Sequence, residues 1–405
     1  MILPIPLRVG FFVGLLSLAL FGIGIYLLYR AARRCVRYDL VRRPDFDTYP
    51  ERGPEILAVR HTVTSNEALH DWAIMIPLIA GLALLLLTFA GRHLVKLAFP
   101  VGNDEPVAMR TGSATEITGS DGTKIHVELY GPADGPTLVF THGWGTNSTE
   151  WYYAKRHLAD RFRLILWDLP GLGESTQPED RNFALERMAS DLRSVLSLAK
   201  GKPVVLVGHS IGGMINLTFC RLYPGLLGTQ IAGIAQLDTS YTNPVRTTKG
   251  SAFSLSIQKP IAEPILHGMI FLSPLVRLTN WLSYENGLSY LENAHSLSGG
   301  SETRGQLDLV SRYQFESSPA VVARGTLAMF HWDASPVLPR VNTPVLILVG
   351  QQDTTTLPTA SEHMQKTMPQ AKLQMVNPSA HYGLLEQNLT YDAALAQFAL
   401  ARLKL

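Results

Sequence analysis

Cysteine and net charge are both scarce in this chain of 405 residues. The formal net charge is +2, so the chain lacks the strongly basic surface that binds nucleic acid, and we expect no nucleic-acid partner. The two cysteines, Cys35 and Cys220, fall on different parts of the chain, and we expect no structural disulfide between them. A fold without disulfides is compatible with either side of a membrane, so cysteine content leaves the location open.

Charge is absent altogether from two long stretches, 9–29 and 72–91. Each is about as long as the roughly 20 apolar residues that cross a bilayer as a helix, so the sequence predicts two transmembrane helices. No small-residue cleavage site follows the first stretch, whose flank is Arg30-Ala31-Ala32-Arg33-Arg34, and we expect a retained span instead of a signal peptide. Gly10 and Gly14 form a G-x-x-x-G pattern, which is typical of a helix-pairing face.

Arginine is concentrated between the two predicted spans. The basic residues that follow the first span are Arg30, Arg33, Arg34, Arg37, Arg42 and Arg43. The other ends of the spans carry fewer, namely Arg8, Arg92 and Lys96. The positive-inside rule therefore places the 30–71 loop in the cytoplasm and everything after Gly91 on the other side. A cytoplasmic location of that larger part remains the alternative, because long domains translocate largely regardless of their charge.

Apolar strand patterns alternate with helical patterns from residue 113 onward. The predicted strands are 114–118, 124–130, 137–141, 164–167, 204–207, 231–237, 345–349 and 372–376. The predicted helices between and after them are 151–158, 183–199, 213–223, 359–368 and 391–403. This alternation indicates an α/β fold with a mainly parallel, doubly wound sheet of eight strands and an antiparallel hairpin at its start. The chain then divides into a membrane anchor with its linker (1–112), a core (113–240 and 341–405) and a segment at 241–340.

The segment 241–340 interrupts the alternation with helical patterns at 261–282 and 320–330. We interpret it as a helical cap over the site, inserted after the sixth strand of the core. Its large apolar residues include Phe271, Leu272, Leu275, Trp281 and Leu282. We expect most of them to form the cap's own core and its contact with the main domain, and a minority to line a pocket. The sequence does not identify the substrate-binding residues.

One pentapeptide, Gly208-His209-Ser210-Ile211-Gly212, lies between an apolar strand pattern and a helical pattern. A serine on so tight a strand-to-helix turn is exposed for attack, and the flanking glycines supply the room that the strained backbone needs. The sequence therefore predicts that Ser210 is a nucleophile.

A serine hydroxyl is a weak nucleophile and needs a base that an acid orients. His381 follows the predicted eighth strand, and Asp353 follows the seventh, so both fall at the edge of a parallel sheet where ligands bind. The order Ser210, Asp353, His381 matches the order of nucleophile, acid and base in α/β-hydrolases. Asp238, after the sixth strand, is the alternative acid.

Attack by a serine also creates an oxyanion that backbone N–H groups must stabilise. We expect these donors to be the N–H groups of Ile211, at the start of a helix, and Trp144, in the loop after the third strand. His142 and His209 are two further histidines near the site. No cysteine or carboxylate cluster accompanies them at metal-ligand spacing, so we expect hydrogen bonds within the loops and no metal.

From about residue 114 to its end, the chain resembles the α/β-hydrolase superfamily, in its lipase, esterase and haloperoxidase-like branch. The matching pieces are His142-Gly143-Trp144-Gly145, Asp168-Leu169-Pro170-Gly171-Leu172-Gly173-Glu174-Ser175, the pentapeptide around Ser210, Gly350-Gln351-Gln352-Asp353 and His381. The resemblance implies a serine hydrolase without a cofactor, and a serine at 210 argues against the epoxide hydrolases and haloalkane dehalogenases. It gives the loop at 168–175 a structural role at the pocket edge. Asp333, in the cap, is expected to make a structural contact.

These observations together predict a membrane-anchored serine hydrolase that cleaves a small-molecule carboxylic ester through an acyl-enzyme intermediate. We expect the ester to be lipophilic and to come from the bilayer. Acyl transfer to another acceptor and cofactor-free perhydrolysis (haloperoxidase chemistry) are alternatives that use the same residues. A non-catalytic binding protein with the hydrolase fold is a third. The sequence leaves the oligomeric state open.

Overall fold

The computed structural model describes residues 11–42, 56–108, 110–296 and 298–403. Helix α1 (Phe11–Arg34) is followed by a two-stranded antiparallel sheet of β1 (Val36–Arg42) and β2 (Ile56–Thr62). A short helix α2 (Ser65–His70) then leads into α3 (Trp72–Lys96). The β1–β2 hairpin lies in the segment 30–71, which was predicted only as a basic loop because of its arginines. Arg8 and Arg43 lie outside the described residues.

Helices α1 and α3 are apolar and long enough to cross a membrane, which agrees with the two predicted spans. They pack on each other where Gly24 faces Gly81, because a Cβ atom at Gly81 would lie only 3.0 Å from the Gly24 carbonyl oxygen. Gly14 does not lie at this contact, and a Cβ atom there would instead meet the hydroxyl of Thr279 in segment 241–340. The helix-pairing face predicted from Gly14 is therefore a contact with that segment, and Gly10 lies outside the described residues.

An eight-stranded sheet forms the centre of the rest of the chain. Its strands are β3 (Ser113–Thr118), β4 (Lys124–Tyr130), β5 (Thr137–Thr141), β6 (Arg163–Trp167), β7 (Val204–His209), β8 (Ile231–Leu237), β9 (Val345–Gly350) and β10 (Ala371–Val376). Their order across the sheet is β10-β9-β8-β7-β5-β6-β4-β3. Pairing is parallel except at β3–β4 and β4–β6. The predicted mainly parallel α/β sheet with an antiparallel edge is confirmed.

Helices cover both faces of this sheet. After α3 the helices are α4 (Tyr152–Leu158), α5 (Leu185–Val195), α6 (Ile211–Leu222), α7 (Ser251–Ile257), α8 (Glu263–Phe271), α9 (Ser273–Glu285), α10 (Leu288–Ser296), α11 (Arg304–Glu316), α12 (Pro319–Phe330), α13 (Pro358–Thr367), α14 (Gly383–Glu386) and α15 (Asn388–Leu403). Alternate strand residues divide between two cores. Val139 and Leu206 face α5 and α6, whereas Leu138 and Val205 face α4 and α15.

Helices α7 to α12 lie between β8 and β9 and form a helical insertion, the name used below for residues 241–340. Three of its five large apolar residues contradict the expectation that they form a core or line a pocket. Phe271 is 85% exposed, Leu272 46% and Leu275 45%. Leu282 is buried as expected, and the Trp281 ring contacts the ring of Phe89 on α3. Hydrophobic spacing predicts that these residues face an apolar surface, but it does not show whether that surface belongs to the fold.

Candidate active site

Ser210 occupies the sharp turn between β7 and α6. Its backbone has φ +51° and ψ −116°, a conformation that L-residues rarely adopt and that marks a strained turn. Neighbouring atoms leave no room for side chains beside it. A Cβ atom at Gly208 would lie 2.4 Å from the Gly212 carbonyl carbon, and one at Gly212 would lie 2.2 Å from the Thr141 oxygen. The two glycines therefore let the turn close so tightly.

His381 and Asp353 lie beside Ser210, as the sequence predicted from the ends of β10 and β9. The distance from His381 Nε2 to Ser210 Oγ is 3.1 Å, and His381 Nδ1 lies 2.9 Å from Asp353 Oδ2. Both side chains are buried. Asp353 also accepts hydrogen bonds from the N–H groups of Thr355 and Thr356 and from the Thr356 hydroxyl. These donors fix the carboxylate in the orientation that holds one tautomer of the imidazole.

Asp238, the alternative acid, is also buried at this edge but has other partners. It accepts a hydrogen bond of 2.8 Å from the Gly350 N–H, and its Oδ2 atom lies 3.0 Å from the Tyr391 hydroxyl. Burial, with the Asp353 carboxylate as a second cause, raises the pKa of Asp238 well above its usual value. Asp353, and not Asp238, makes the hydrogen bond to His381.

His209, next to Ser210, belongs to a buried hydrogen-bond network whose other charged member, Glu150, was not predicted. Its Nδ1 atom lies 3.3 Å from Glu150 Oε1, and its Nε2 donates to the His381 carbonyl oxygen at 2.9 Å. Burial disfavours the charged forms of His209 and Glu150, but the attraction between the two side chains outweighs that effect. The pKa of His209 is raised and that of Glu150 is lowered. This ion pair ties the residue before Ser210 to the backbone of His381.

Glu150 also connects this network to the loop that follows β5. It accepts hydrogen bonds from the Gly143 N–H and from the Thr146 hydroxyl. No sequence pattern marked Glu150, because a lone glutamate before a helix usually lies on the surface. The residues before it, Asn147-Ser148-Thr149, are polar as well, so the sequence gives no sign that Glu150 is buried.

His142 is buried and uses both ring nitrogens within the fold. Its Nε2 accepts from the Leu169 N–H at 2.9 Å, so Nδ1 carries the proton and donates to the Gly143 carbonyl oxygen at 2.8 Å. Burial lowers its pKa, which agrees with a neutral ring. The structure thus shows the loop hydrogen bonds expected of His142 and His209. Within the described ranges, no group of three or more His, Cys, Asp or Glu side chains is arranged to hold a metal ion.

Trp144 and Ile211, the predicted oxyanion donors, lie in the loop after β5 and at the start of α6. Ile211 is the first residue of α6, where backbone N–H groups lack helical partners and the helix dipole favours negative charge. Trp144 lines the same cavity as Ser210. Its indole N–H donates to the Val322 carbonyl oxygen of α12 at 2.9 Å, which fastens this loop to the helical insertion.

A cavity opens at Ser210 between the sheet edge and the helical insertion. The core lines it with Trp144, Gly145, Ser210, Met214, Thr355, Thr356, His381 and Tyr382. The insertion lines it with Pro244, Val245, Thr248, Met269, Asn280, Asn293, Val310, Tyr313, Gln314, Ser317, Pro319, Val322, Thr326, Met329 and Phe330. Most of the lining surface is apolar. The core thus supplies the reactive groups, and the insertion supplies most of the wall.

Three other residues named from the sequence have structural surroundings. Asp168 is buried, and its carboxylate binds the Arg110 guanidinium at 2.8 Å and accepts a hydrogen bond from the Glu174 N–H. Asp333 accepts hydrogen bonds from Ser335 at the end of the insertion. Cys220 is a free thiol, and burial raises its pKa to about 12. Cys35 is also free.

Known proteins resemble the chain from the sheet onward. A putative carbamate hydrolase, RutD, of Stutzerimonas stutzeri is 25% identical over 275 residues, which cover 67% of this chain and 95% of that protein. An esterase structure from Thermogutta terrifontis aligns with a TM-score of 0.59 at 24% identity, covering 72% of this chain and all of that one. An esterase from Exiguobacterium antarcticum gives 0.58 at 21% identity, covering 71% of this chain and 99% of that one.

The two structural likenesses establish the fold, and a sequence profile extends the result to the family. The profile of the "Alpha/beta hydrolase family" matches residues 138–394, which is more than half of the chain. The apolar helices α1 and α3 precede the match. This protein therefore belongs to the alpha/beta hydrolase family, and the prediction that it is a hydrolase is confirmed at that level.

Proposed function

We propose that this protein is a membrane-anchored serine hydrolase that cleaves a lipophilic carboxylic ester through an acyl-enzyme intermediate. The observation that carries the proposal is the contact chain from Ser210 Oγ to His381 Nε2 (3.1 Å) and from His381 Nδ1 to Asp353 Oδ2 (2.9 Å). A serine, a base within hydrogen-bond reach and an acid that orients the base are the parts that activate a serine nucleophile.

The proposed reaction begins when Ser210 Oγ attacks the ester carbonyl and His381 Nε2 takes its proton. The oxyanion is held by the backbone N–H groups of Trp144 and Ile211. His381 then gives the proton to the leaving alcohol as the C–O bond breaks and an acyl-serine forms. Water, deprotonated by the same histidine, attacks the acyl group, and the acid leaves while Ser210 recovers its proton. Asp353 stabilises the imidazolium in both halves.

The lipophilic substrate is supported by the apolar cavity lining and by the two apolar helices. Met269, Val310 and Met329 provide flexible or branched apolar surface along the wall, which suits an acyl chain better than a polar substrate. The helical insertion acts in this proposal as the cap. Relatives named as esterases and as a putative carbamate hydrolase support attack on a carbonyl without choosing the leaving group.

The proposed anchor consists of α1 and α3, with residues 1–112 outside the hydrolase core. The arginines in the last turns of α1 and after it favour a cytoplasmic hairpin and a hydrolase domain on the opposite side. Arg92 and Lys96 are basic residues at the end of α3 that this orientation places outside the cytoplasm. Arg92 pairs with Glu285 at 3.3 Å and Lys96 with Asp308 at 2.6 Å, so both have a structural reason to lie at the domain end of α3.

Hydrolysis is best tested with full-length protein in nanodiscs and a series of esters of increasing acyl length, including acylglycerols. We expect release of the free acid to rise with chain length, and none above background from Ser210→Ala. Cleavage restricted to short, water-soluble esters would contradict the lipophilic substrate.

The alternatives are separated by the products. An ester formed with an added alcohol would indicate acyl transfer, and a peracid formed with added peroxide would indicate perhydrolysis. Absence of turnover with every substrate, in protein that folds normally, would favour a non-catalytic binding protein.

A further inference from the structure

The turn between α8 and α9 presents apolar side chains to the surroundings. Phe271, Leu272, Leu275 and Leu278, named here the apolar patch, are 85%, 46%, 45% and 45% exposed. The two helices meet at an angle of 96°, so the patch forms a corner. Leu275 and Leu278 are three residues apart on α9, which places them on one side of that helix, and Phe271 is the last residue of α8, at the corner. A contiguous exposed apolar patch on a protein usually marks a surface that another apolar phase covers.

Contacts between α9 and the two spans fix the level at which this corner lies. Thr279 packs against Gly14, Trp281 contacts Phe89, and the Asn286 amide donates to the Ser17 hydroxyl at 2.8 Å. Gly14 and Ser17 follow Phe11, the first residue of α1, by three and six residues. At 1.5 Å per residue they lie about 5 and 9 Å along α1 from that residue. Helix α9 therefore crosses the spans within their apolar segments.

A charged pair lies at the end of α9 that is farther from the apolar patch. Glu285, at the end of α9, pairs with Arg92, the first charged residue after the second uncharged stretch. From Glu285 back to the patch, α9 carries a single basic residue, Arg277, which is exposed. An arginine beside an apolar face is typical of a helix at a membrane surface, where the long side chain reaches the headgroups.

We propose that the apolar patch inserts among the lipid acyl chains of the leaflet next to the hydrolase domain. The occupant is the bilayer, because α9, which carries Leu275 and Leu278, packs on α1 and α3, whose exposed side chains, such as Leu15 and Leu86, are also apolar. The inference rests on the proposed anchor and adds a third membrane contact, made by the helical insertion.

This contact bears on how substrate reaches Ser210. Met269 on α8 and Asn280 on α9 line the cavity, while the apolar patch lies on the outer side of the same helices. A single layer of helix thus separates the cavity from the leaflet. A lipophilic ester dissolved in that leaflet lies against the wall of the cavity before it meets bulk water.

The test measures lipid contact at single positions in the full-length chain. In a Cys35→Ser background, cysteine is placed at Phe271 or Leu275, labelled with an environment-sensitive nitrobenzoxadiazole dye, and the protein is put into phosphatidylcholine nanodiscs. Cys220 is buried and does not compete for the dye. Leu86→Cys, on the lipid side of α3, and Leu389→Cys, 71% exposed on α15, are the matched apolar controls.

We expect spin-labelled acyl chains to quench the dye at Phe271 and Leu275 as fully as at Leu86, and aqueous iodide to quench only Leu389. Iodide quenching at Phe271 and Leu275 equal to that at Leu389 would overturn the inference. So would protection seen only in discs that hold two copies, which would assign the patch to a dimer. Leu278→Cys replaces any variant that fails to fold.

The measurement needs no turnover and is repeated in Ser210→Ala. Failure of the patch to meet lipid would leave the proposed ester hydrolysis standing, and failure of hydrolysis would leave the quenching result standing.

Discussion

The sheet edge and the helical insertion contribute to one cavity in different ways. The sheet edge holds Ser210, Asp353 and His381 through backbone turns, glycine contacts and hydrogen bonds that tolerate little movement. The insertion contributes a mostly apolar wall and packs on α1 and α3, with few groups suited to proton transfer facing Ser210. The comparison teaches that the candidate reactive groups come from the sheet edge, while the insertion supplies most of the cavity wall.

The strongest way to break that comparison is to remove the nucleophile. Ser210→Ala should lower turnover on the order of 10⁶-fold if the three residues act as a unit. Ser256→Ala, which removes an exposed serine of the insertion, is the matched control and should change turnover little. Initial rates with the best ester decide the matter. Turnover in Ser210→Ala near that of the control would move the chemistry elsewhere.

A second substitution pair sharpens the account within the sheet edge. Asp353→Asn should lower turnover by about 10⁴-fold, because the amide favours the wrong tautomer of His381. Asp238→Asn should cost less than about tenfold, the effect of one hydrogen bond, since the Asp238 carboxyl group bonds Gly350 and Tyr391 and makes no hydrogen bond to His381. Comparison of kcat at neutral pH measures both. The reverse ranking would make Asp238 the acid.

A pH-dependent effect is expected where the two regions join. Glu386, on α14, accepts from the Gly299 N–H of the insertion, and burial raises its pKa from 4.5 to about 7. Its stabilising contribution is therefore complete below about pH 4.5 and is lost as the pH rises through 7. Glu386→Gln should stabilise the protein above pH 7 by up to about 3 kcal/mol and change little at pH 4.5.

Thermal unfolding in detergent at pH 4.5 and 8.5 measures this difference. Gln387→Glu, one residue along, changes charge in the opposite direction and serves as the control. A wild-type and Glu386→Gln difference that is the same at both pH values would contradict a raised pKa.

The smallest effect is expected at the second joint between the regions. Trp144→Phe removes the indole N–H that donates to Val322 and should lower stability by about 1 kcal/mol, the net contribution of one hydrogen bond. Turnover of a short ester should stay close to wild type, because the Trp144 backbone N–H is retained. A loss of kcat as large as in Asp353→Asn would show that the insertion takes part in the chemistry.

The sequence predicted the sheet because its signals are local. Continuous apolar runs such as 204–207 indicate buried strands, and glycines beside Ser210 indicate a tight turn whatever surrounds them. Strand ends also gather at one edge of a parallel sheet, so Asp353 and His381 could be placed near Ser210 from their positions alone. The structure brings these three side chains together as expected.

The remaining features depend on contacts between distant segments. Phe271 and Leu275 were predicted as core or pocket residues because hydrophobicity alone does not distinguish a buried apolar side chain from an exposed one. Glu150 has no motif, and its role emerges only once His209 is folded against it. The β1–β2 hairpin was not predicted, although Val36 to Leu40 alternate apolar and polar residues as a strand does, because the arginines of this segment were interpreted only as a charge pattern.

The most direct test of the central claim is where a fluorophosphonate probe reacts in the full-length protein. Intact mass and peptide mapping after labelling in nanodiscs should show one adduct per chain, on Ser210, and none in Ser210→Ala. Slow labelling of Asp353→Asn would agree with an impaired base. No adduct on folded wild-type protein, or an adduct at another residue, would contradict the proposal that Ser210 is the activated nucleophile of this hydrolase.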